Sequence, residues 1–502
     1  MLLFKTDMKN RIVSLKSLVR LVDDPLLSKR YVNYLCGFSN EEHTYRHDEI
    51  KCILVLLNQL NLSNDEANGF IYSYTIPQLN KEFDLLKIST NKCINIELKT
   101  KNPGEANIQK QLVQNHYYLN MLNTEVYLFT FVLESKQLYC LNSNGELEKT
   151  DYHVLKNTLL NLVPSEIDLD CVFSPKNILV SPLNEPQRFK NKNYLLTENQ
   201  RNIKETILKT INDSDYLFVG LHGSPGTGKT LLLYDIAFEL AKTKKVLVLH
   251  CGIMCEGQNE LNRLNNNLDI SEVKILRLKD IKGYDVVCVD ESHRIYPGQL
   301  ERIIKWVPKA NAKCIFSYDE SQRLSYFENN SNTLTEIHKC CENNEFELKN
   351  KIRTNKEISY FIRCLRNTSN FKEPVCSENI RIVFEPDKKA AVNFAKESEK
   401  DGYVYISYTP STIYCDLNYQ KSNLNTHRVI GQEYDSVVMI INDSFYYKDN
   451  KLMAKEHPNP DYLYTQLLYQ GLTRARTKLL LIIQTKDMLN KVLSFFEEKN
   501  EK

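Results

Sequence analysis

Glycine and hydroxyl residues around Lys229 have the spacing of a phosphate-binding loop. The stretch GSPGTGKT fits the pattern G-x-x-x-x-G-K-[ST], after an apolar run and before a helical one. Glycine lets successive backbone N–H groups point at phosphates, Lys229 can reach the β- and γ-oxygens, and the Thr230 hydroxyl can hold Mg²⁺. A plain glycine-rich turn is less favoured, because strand, loop and helix occur in the required order. We therefore expect ATP to bind at Gly223, Ser224, Pro225, Gly226, Thr227, Gly228, Lys229 and Thr230.

Two carboxylates follow an unbroken apolar strand further along the chain. The run DVVCVDESHR places Asp290 and Glu291 where a strand ends. An ATP-hydrolysing site needs such a pair, because one acid completes the Mg²⁺ shell while the other orients and deprotonates the attacking water. We expect Asp290 to hold the metal and Glu291 to act on the water. A third run, AKCIFSYDESQR, ends at Asp319 and Gln322, and we expect the Gln322 amide to sense the γ-phosphate.

Arginines in the second half of the chain can complete such a site from a facing domain. Arg353 lies in KIRTN, and Arg474 and Arg476 lie in YQGLTRART. An arginine far from the loop in sequence can stabilise charge on a transferring phosphoryl group. Each of them alone is more typical of a surface or ion-pair residue. The order of the other motifs favours the catalytic interpretation.

A second candidate site lies in the first part of the chain. Asp84 is on the run KEFDLLKI, and Glu97 and Lys99 are on CINIELK. Side chains alternate along a strand, so Glu97 and Lys99 share a face, and Asp84 joins them if a hairpin forms over residues 89–92. Two such carboxylates bind Mg²⁺, and a lysine can activate water against a phosphodiester. The alternative is a solvated edge face, since E-x-K is common on strands.

Composition and charge limit the class of protein. The 502 residues are 42% hydrophobic and 25% charged, which is typical of a folded globular chain. The net charge of +2 means that a nucleic-acid site must be a local groove rather than a basic surface. The apolar runs are too short for a membrane span, and no signal-peptide pattern opens the chain. Fourteen cysteines without C-x-x-C pairs favour buried thiols in a reducing cytoplasm over a zinc site.

The elements that must position these residues can be read from periodicity. A helix is predicted over residues 44–60, three strands over 70–75, 82–88 and 93–98, a second helix over 105–122, and two strands after it. Several prolines in short polar segments over residues 148–193 indicate a domain boundary and a linker. Beyond it, strands and helices alternate, which is the signature of parallel α/β layers.

The second part of the chain, from about residue 193, resembles a superfamily 1 helicase. The stretches that carry the resemblance occur in the family's order: LLTENQ, GSPGTGKT, VLVLHCGIMCEGQ, DESHR, FSYDESQ, KIRTN, THRVIGQEYDSVVMI and YQGLTRAR. The family has two RecA-like lobes with ATP between them. The resemblance implies that Gln200 reads the adenine and that Arg353 and Arg474 are arginine fingers. It implies that Gln432 and Glu433 lie at the nucleotide and link its state to the grip on nucleic acid.

The subgroup whose sequence is most similar is the domain-of-unknown-function family 2075, also seen as the helicase-like part of Schlafen proteins.

The spacing of these stretches departs from the family pattern in one way that bears on activity. Only about thirty residues separate the third stretch from DESHR, and the second lobe has little room beyond its own core. Family members that unwind long duplexes carry large insertions here, so we expect translocation and ATP hydrolysis rather than processive unwinding.

The first part of the chain resembles the PD-(D/E)XK, or restriction-endonuclease-like, nucleases. The order helix, three strands, helix, strand is that family's core. The resemblance implies metal ligation by Asp84 and Glu97 and catalysis by both with Lys99. Gln111, Gln114 and Tyr118 look like the glutamine–tyrosine element of RecB-type members, and Glu49 is a candidate further metal ligand. The usual proline before the first acid is Phe83 here, which the family tolerates.

We therefore expect an α/β chain of four segments: a PD-(D/E)XK nuclease-like domain over residues 1–150, a linker over 151–192, a first RecA-like lobe over 193–335 and a second over 336–502. The favoured function is an ATP- and Mg²⁺-dependent motor fused to a nuclease that acts on DNA, in defence against foreign DNA or in repair. The alternatives left open are an ATP-gated nucleic-acid clamp that does not cleave, and the same chemistry on RNA. A protein partner or a homo-oligomer also stays open.

Overall fold

The computed structural model describes residues 12–36, 46–160, 162, 165, 167–213, 217–277, 281–349, 355–376, 378–411, 416–455 and 460–497. The chain divides into two units between Ile178 and Leu179.

The first unit is built on a six-stranded mixed sheet. Its strands are β1 Phe70–Ile76, β2 Lys81–Ile88, β3 Lys92–Lys99, β4 Glu125–Val132, β5 Gln137–Leu141 and β6 Leu147–Thr150. Its helices are α1 Leu15–Leu18, α2 Pro25–Cys36, α3 His47–Leu60, α4 Asn64–Ala67, α5 Glu105–Leu119, α6 Tyr152–Leu159, α7 Leu169–Val172 and α8 Pro175–Ile178. The strands lie in chain order, and every pair is antiparallel except β3 and β4. Helix α5 makes the crossover that this parallel pair requires.

The predicted helices and strands of this unit are confirmed within a few residues. Helix α3 buries Ile50, Ile53 and Leu57 in the core with Leu85 and Ile96 of the sheet, as its apolar spacing predicts. Strands β2 and β3 form the expected hairpin. Strand β6 and helix α6 were not predicted, because their short polar sequences lie where prolines indicated a linker.

The second unit contains two parallel sheets. Its strands are β7 Leu217–Gly223, β8 Val246–His250, β9 Leu268–Glu272, β10 Val286–Asp290, β11 Lys313–Tyr318, β12 Glu345–Leu348, β13 Ile380–Phe384, β14 Val404–Ser407, β15 Leu424–Asn425, β16 Tyr434–Ile441, β17 Phe445–Lys448, β18 Lys451–Ala454 and β19 Ala475–Ile483. Its helices are α9 Pro186–Lys190, α10 Glu198–Asp213, α11 Lys229–Leu240, α12 Glu256–Arg263, α13 Pro297–Lys309, α14 Tyr326–Asn330, α15 Thr333–Cys341, α16 Lys356–Arg366, α17 Lys388–Glu397, α18 Tyr464–Leu472 and α19 Lys486–Leu493.

The strand orders are β12-β7-β11-β10-β8-β9 and β13-β19-β16-β14-β15, with every neighbouring pair parallel. Strands β17 and β18 form a separate hairpin. The two α/β sheets resemble the RecA-like lobes expected from the sequence. Because β11 lies between β7 and β10, its carboxyl end falls between the glycine-rich loop and the acid pair.

Two features differ from the expected boundaries. Strand β12 completes the first parallel sheet although it lies beyond residue 335. Residues Val180, Leu183 and Phe189 are buried in the core of that sheet, although they fall in the segment expected to be a linker. Apolar side chains spaced irregularly between prolines give no periodic signal, so their burial was not apparent from the pattern. Within the described part of the chain, no helix is long and apolar enough to cross a bilayer.

Candidate functional site

The glycine-rich loop joins the end of β7 to the start of α11. Gly228 precedes the helix with φ +88, in the left-handed region that glycine adopts most readily. A Cβ on Gly223 would lie 2.6 Å from the Leu348 carbonyl oxygen and 2.9 Å from Thr227 Oγ1. Glycine is therefore required at Gly223 by the close approach of backbone. The helix behind the loop directs its positive dipole end toward the loop.

Lys229 lies across the loop and is almost fully buried. Its Nζ donates to the carbonyl oxygens of Gly223 at 2.8 Å and Ser224 at 3.0 Å, and it forms an ion pair with Asp319 Oδ2 at 3.1 Å. A bound phosphate can replace these three acceptors, since they are reached by the same flexible ammonium group.

Thr230 and Asp290 form the second part of the site. Thr230 Oγ1 lies 3.5 Å from Asp290 Oδ1. Burial raises the pKa of Asp290, although His250, whose Nδ1 lies 3.4 Å from Asp290 Oδ2, acts in the opposite direction. His250 faces Asp290 in the register of β8 and β10. A hydroxyl beside a buried carboxylate that is short of donors matches the oxygen ligands that Mg²⁺ prefers, so these residues fit the expected metal.

Glu291 begins a tight turn after β10 with φ +58. Its Oε2 lies 3.4 Å from His293 Nε2 and 3.4 Å from Arg294 Nε. Burial alone would raise the pKa of Glu291, but the charges of His293, Arg294, Lys229 and Arg474 together lower it to about 2. The side chain is thus held as a carboxylate. His293 and Arg294 lie two and three residues after Glu291 in sequence, and this proximity was the signal that could have identified them.

Asp319 and Gln322 follow β11 at the centre of the site. Asp319 Oδ1 accepts from the backbone N and the hydroxyl of Ser321, while its Oδ2 holds Lys229. Gln322 is buried, and its Nε2 has no hydrogen-bond partner among the described residues. An unsatisfied buried amide is costly, so this donor fits an acceptor that a bound ligand would supply.

Gln200 supports the loop from α10. Its Nε2 donates to the Thr227 carbonyl at 3.0 Å, and its Oε1 accepts from the Thr197 backbone N at 2.9 Å. Thr227 in turn donates to the Ser224 carbonyl at 2.9 Å. Gln200, which was expected to read the adenine, therefore also makes a structural contact with the loop.

Arg474 reaches the same region from the second parallel sheet. It is buried, with Nη1 3.1 Å from the Gln432 carbonyl oxygen and Nε 3.2 Å from the Gln470 carbonyl oxygen. Burial lowers the pKa of Arg474, while Glu291 and Glu433 act in the opposite direction. Arg474, one of the two expected arginine fingers, therefore lies near enough to Glu291 for their charges to interact. Arg353, the other expected arginine finger, lies outside the described residues.

Gln432 and Glu433 lie where the two sheets of this unit meet. Gln432 Nε2 donates to the Arg428 carbonyl at 2.7 Å. The Glu433 backbone N donates to Asn184 Oδ1 at 3.0 Å, and its Oε2 lies 3.5 Å from Arg476 Nε. Glu433 therefore joins the second sheet to the segment that precedes the first.

The candidate nuclease residues converge on one face of the first unit. Glu97 and Asp84 are both buried, and Asp84 Oδ2 accepts from the Leu98 backbone N at 2.8 Å. Lys99 Nζ lies 3.7 Å from Glu97 Oε2. Burial raises the pKa of Asp84, and the charges of Glu97 and Glu49 raise it further. The hairpin thus brings together the three residues that the sequence singled out.

Amide side chains fix the orientation of Glu97. Gln111 donates to Glu97 Oε2, and Asn115 donates to Glu97 Oε1 at 2.8 Å. Asn95 donates to the same Oε1 at 3.2 Å. Neither asparagine was predicted from the sequence. Asn95 stands two residues before Glu97 on its strand face and Asn115 stands one turn after Gln111, so these spacings were the available signal. Gln114 and Tyr118 are buried on the same helix.

Glu49 is held at a short distance from this group. Arg46 forms an ion pair with Glu49 Oε1 at 2.7 Å, and Tyr72 donates to its Oε2 at 3.0 Å. In the described ranges, the only three His, Cys, Asp or Glu side chains whose ligand atoms all lie within 4.8 Å of one another are Glu357, Cys376 and Glu378. Asp84, Glu97 and Glu49 therefore do not close into a three-carboxylate cluster in this geometry.

Comparison with known proteins finds a family model that matches part of the second unit. Residues 217–400 match a helicase domain. The family model is that of the Schlafen group 3, DNA/RNA helicase domain. No curated protein matches the chain.

Solved structures of Pif1 are similar at low identity. Unliganded Pif1 from Bacteroides sp shares 15% identity, with 60% of this chain and 96% of that chain covered and a TM-score of 0.31. Pif1 helicase from Candida albicans shares 13% identity, with 61% and 100% covered and a TM-score of 0.32.

Proposed function

We propose that the second unit is an ATP-driven motor of the superfamily 1 helicase type that moves along single-stranded nucleic acid. One observation carries this proposal. The loop lysine, the hydroxyl–carboxylate pair and the ionised Glu291 of one parallel sheet converge with the buried Arg474 of the other. Nucleotide bound at this place would contact both sheets, so its hydrolysis can change how they sit against each other.

Each residue has a chemical role in this proposal. Lys229 exchanges its present acceptors for the β- and γ-phosphate oxygens. Thr230 and Asp290 would hold Mg²⁺, which when bound neutralises phosphate charge. Glu291, kept ionised, accepts a proton from the attacking water. Arg474 stabilises the negative charge that develops on the transferred group.

The substrate of the motor is proposed to be single-stranded DNA, with RNA as the alternative. The matching family model is described for a DNA/RNA helicase domain. The test is phosphate release by the full chain with matched single-stranded DNA, single-stranded RNA and duplex DNA. We expect single-stranded DNA to stimulate turnover most. If only RNA stimulates turnover, the substrate of the proposed motor is RNA. If no nucleic acid changes the rate of ATP hydrolysis, the motor proposal is contradicted.

We propose as a second function that the first unit is a Mg²⁺-dependent nuclease. The observation that favours it is the buried Asp84–Glu97 pair with Lys99 beside it and three amides that orient Glu97. Asp84 and Glu97 would hold the metal, and Lys99 would position the attacking water. A solvated edge face would not bury two carboxylates against each other, since that arrangement is unfavourable without a ligand or a proton.

Cleavage of labelled DNA and RNA with Mg²⁺, and then with EDTA, tests this second proposal. Metal-dependent products from the wild type that disappear in Glu97→Gln would support it. If the wild type cuts no substrate but still binds nucleic acid, the first unit is a clamp that does not cleave.

A further inference from the structure

A cavity of about 350 Å³ lies beside the glycine-rich loop, between Pro225 of the loop and the elements α16, β18 and α18. Three exposed cationic side chains line it: Arg363, Arg366 and Lys451. No aspartate or glutamate is among its described lining residues, and none of the three cations forms an ion pair with a carboxylate in the part of the chain that the structure describes. A cleft lined by one sign of charge attracts ions of the opposite sign. We call it the cationic cavity.

The fold brings these three cations together. The apolar side of α16 packs in the core, so Arg363 and Arg366, which are three residues apart, share the outer side of the helix. Lys451 begins β18, and an isolated β-bridge joins it to Asn367, the residue directly after α16. Like charges gathered around one cavity repel one another, so the binding of an anion there is favoured.

Contacts of Tyr469, which also lines the cavity, connect it to the phosphate end of the expected ATP site. The guanidinium carbon of Arg366 lies 4.2 Å from the centroid of the Tyr469 ring. Burial raises the pKa of Tyr469, while Arg366 and a hydrogen bond with Ser321 act in the opposite direction. The Ser321 hydroxyl donates to Asp319 Oδ1 at 2.6 Å, and Asp319 Oδ2 lies 3.1 Å from Lys229 Nζ. The cavity therefore adjoins the place where the γ-phosphate is expected.

The polar groups of the cavity suit a free phosphate better than a phosphodiester. The planar guanidinium groups of arginine match the spacing of phosphate oxygens. Gln466 also lines the cavity, and its Oε1 is buried without a hydrogen-bond partner among the described residues. An unsatisfied acceptor beside cations fits an anion that still carries a proton to donate. Inorganic phosphate has such a P–OH group near neutral pH, whereas a phosphodiester of nucleic acid has none.

We propose that the cationic cavity holds the inorganic phosphate produced by ATP hydrolysis before this phosphate leaves for solvent. The proposal rests on the proposed motor function and adds to it a second anion site beside the first. In hydrolysis the water oxygen bonds to the γ-phosphorus, the bond from that phosphorus to the β–γ bridging oxygen breaks, and ADP keeps the bridging oxygen. The phosphate set free at Lys229 then passes Pro225 to reach Arg363 and Arg366.

A non-hydrolysable ATP analogue separates the two sites. The full chain is saturated with Mg²⁺ and the β,γ-imido analogue of ATP, and the binding of radiolabelled orthophosphate is then measured by equilibrium dialysis. Because the analogue fills the γ-phosphate position, any phosphate that binds must lie elsewhere. Potassium chloride keeps the ionic strength equal in all samples, since salt screens exposed charges. The wild type should bind a single phosphate.

Removal of the cations tests which residues hold this phosphate. In Arg363→Gln with Arg366→Gln the affinity for phosphate should fall by about tenfold or more, because two charge-assisted contacts are lost, while the analogue binds as in the wild type. Arg363→Lys with Arg366→Lys keeps both charges and should keep most of the affinity. The matched control is Arg381→Gln with Lys389→Gln, which removes two exposed cations of the same unit that do not line the cavity and should change neither affinity.

The acceptor is tested by the choice of anion. The wild type should bind phosphate severalfold more tightly than sulfate, because sulfate has no proton to donate at neutral pH. Gln466→Met keeps the length of the side chain and removes the acceptor oxygen, so this preference should disappear. An unchanged preference in the variant would show that Gln466 does not contact the anion and would contradict the proposed site.

The outcomes separate the cavity from the motor. If the wild type hydrolyses ATP but binds no phosphate when the analogue is present, only the cavity proposal is wrong. If no nucleic acid elicits ATP hydrolysis by the wild type, the motor fails, and the cavity has no product to hold. If Arg363→Gln with Arg366→Gln binds phosphate normally but loses affinity for oligothymidylate, the cavity lies on the path of the nucleic acid and the proposal is again wrong.

Discussion

At the scale of single residues, the ionisation of Glu291 decides whether the site can activate water. Nearby cations offset the cost of burial and hold the pKa of Glu291 at about 2. We predict that Glu291→Gln still binds ATP but hydrolyses it about 100-fold more slowly or worse, because the amide cannot accept the proton. Phosphate release and the binding of a fluorescent ATP analogue measure the two steps. Wild-type turnover in this variant would show that another group activates the water.

His293 makes a prediction about pH and stability. Burial lowers its pKa to about 4, and its Nδ1 accepts from the Asp319 backbone N at 3.2 Å. Below about pH 6.5 His293 binds a proton in the unfolded chain but not in the folded chain. The contribution of neutral His293 to the free energy of unfolding is therefore complete above that pH and declines as the pH falls toward 4. Between about pH 7 and pH 5 the loss should be about 2 kcal/mol.

Urea denaturation at both pH values measures this effect. In His293→Asn the side-chain oxygen can accept the same backbone hydrogen bond but does not titrate. Between about pH 7 and pH 5, the free energy of unfolding of this variant should therefore fall by about 2 kcal/mol less than that of the wild type. An equal fall in both proteins would exclude His293 as the source.

Residues with a fixed local spacing could be predicted from sequence, and residues assembled by the fold could not. The glycines and Lys229 are contiguous, and Glu97 and Lys99 share a strand face. His250 and Glu328 are distant from the acid pair in sequence. His250 lies opposite Asp290 because of the strand order, and Glu328 is linked to the site by a buried ion pair with Arg294. No local sequence pattern indicates either placement.

At the scale of elements, helix α12 is fitted closely to the segment that precedes α9. A Cβ on Gly257 would lie 1.8 Å from the Leu183 carbonyl oxygen. The next residue, Asn184, accepts from the Glu433 backbone, and Glu185 lies 3.5 Å from Arg476. We predict that Gly257→Ala forces this backbone away, costs about 2 kcal/mol of stability and weakens ATP hydrolysis through the second sheet.

Gly298→Ala is the control for this substitution. Gly298 also lies in the first turn of a helix, and a Cβ there would meet nothing within 4 Å. Thermal denaturation and phosphate release should be unchanged in the control and lowered in Gly257→Ala. Equal stability and equal ATP hydrolysis in the two variants would mean that the backbone at Leu183 can move to accept the methyl group at no cost.

The elements with strong periodicity were predicted well. The amphipathic α3 and the apolar strands β1 to β4 have patterns of their own. The described residues between 151 and 192 include the short helices α6 to α9, and Val180, Leu183 and Phe189 among them pack in the core of the first parallel sheet. Such a segment is seen as a linker when only periodicity is considered.

At the scale of the whole molecule, the two candidate sites belong to separate units. We predict that Glu97→Ala, Lys99→Ala and Asp84→Asn each abolish metal-dependent cleavage while nucleic-acid-stimulated ATP hydrolysis stays near wild type. Each removes a proposed metal ligand or the lysine proposed to position the attacking water, and none lies in the second unit. Cleavage and phosphate release measured on one substrate provide the check. Cleavage that survives both Glu97→Ala and Lys99→Ala would place that activity elsewhere.

The motor is the central claim, and displacement of streptavidin from a biotinylated single-stranded oligonucleotide tests it most directly. The wild-type chain with ATP and Mg²⁺ should remove streptavidin from one end of the strand. Lys229→Ala should not, because the charge that holds the β- and γ-phosphates is absent, whereas Lys242→Ala, at an exposed position paired with Glu239, should act like the wild type. If the wild type hydrolyses ATP on the strand yet never displaces streptavidin from either end, the chain is an ATP-gated clamp and the motor is contradicted.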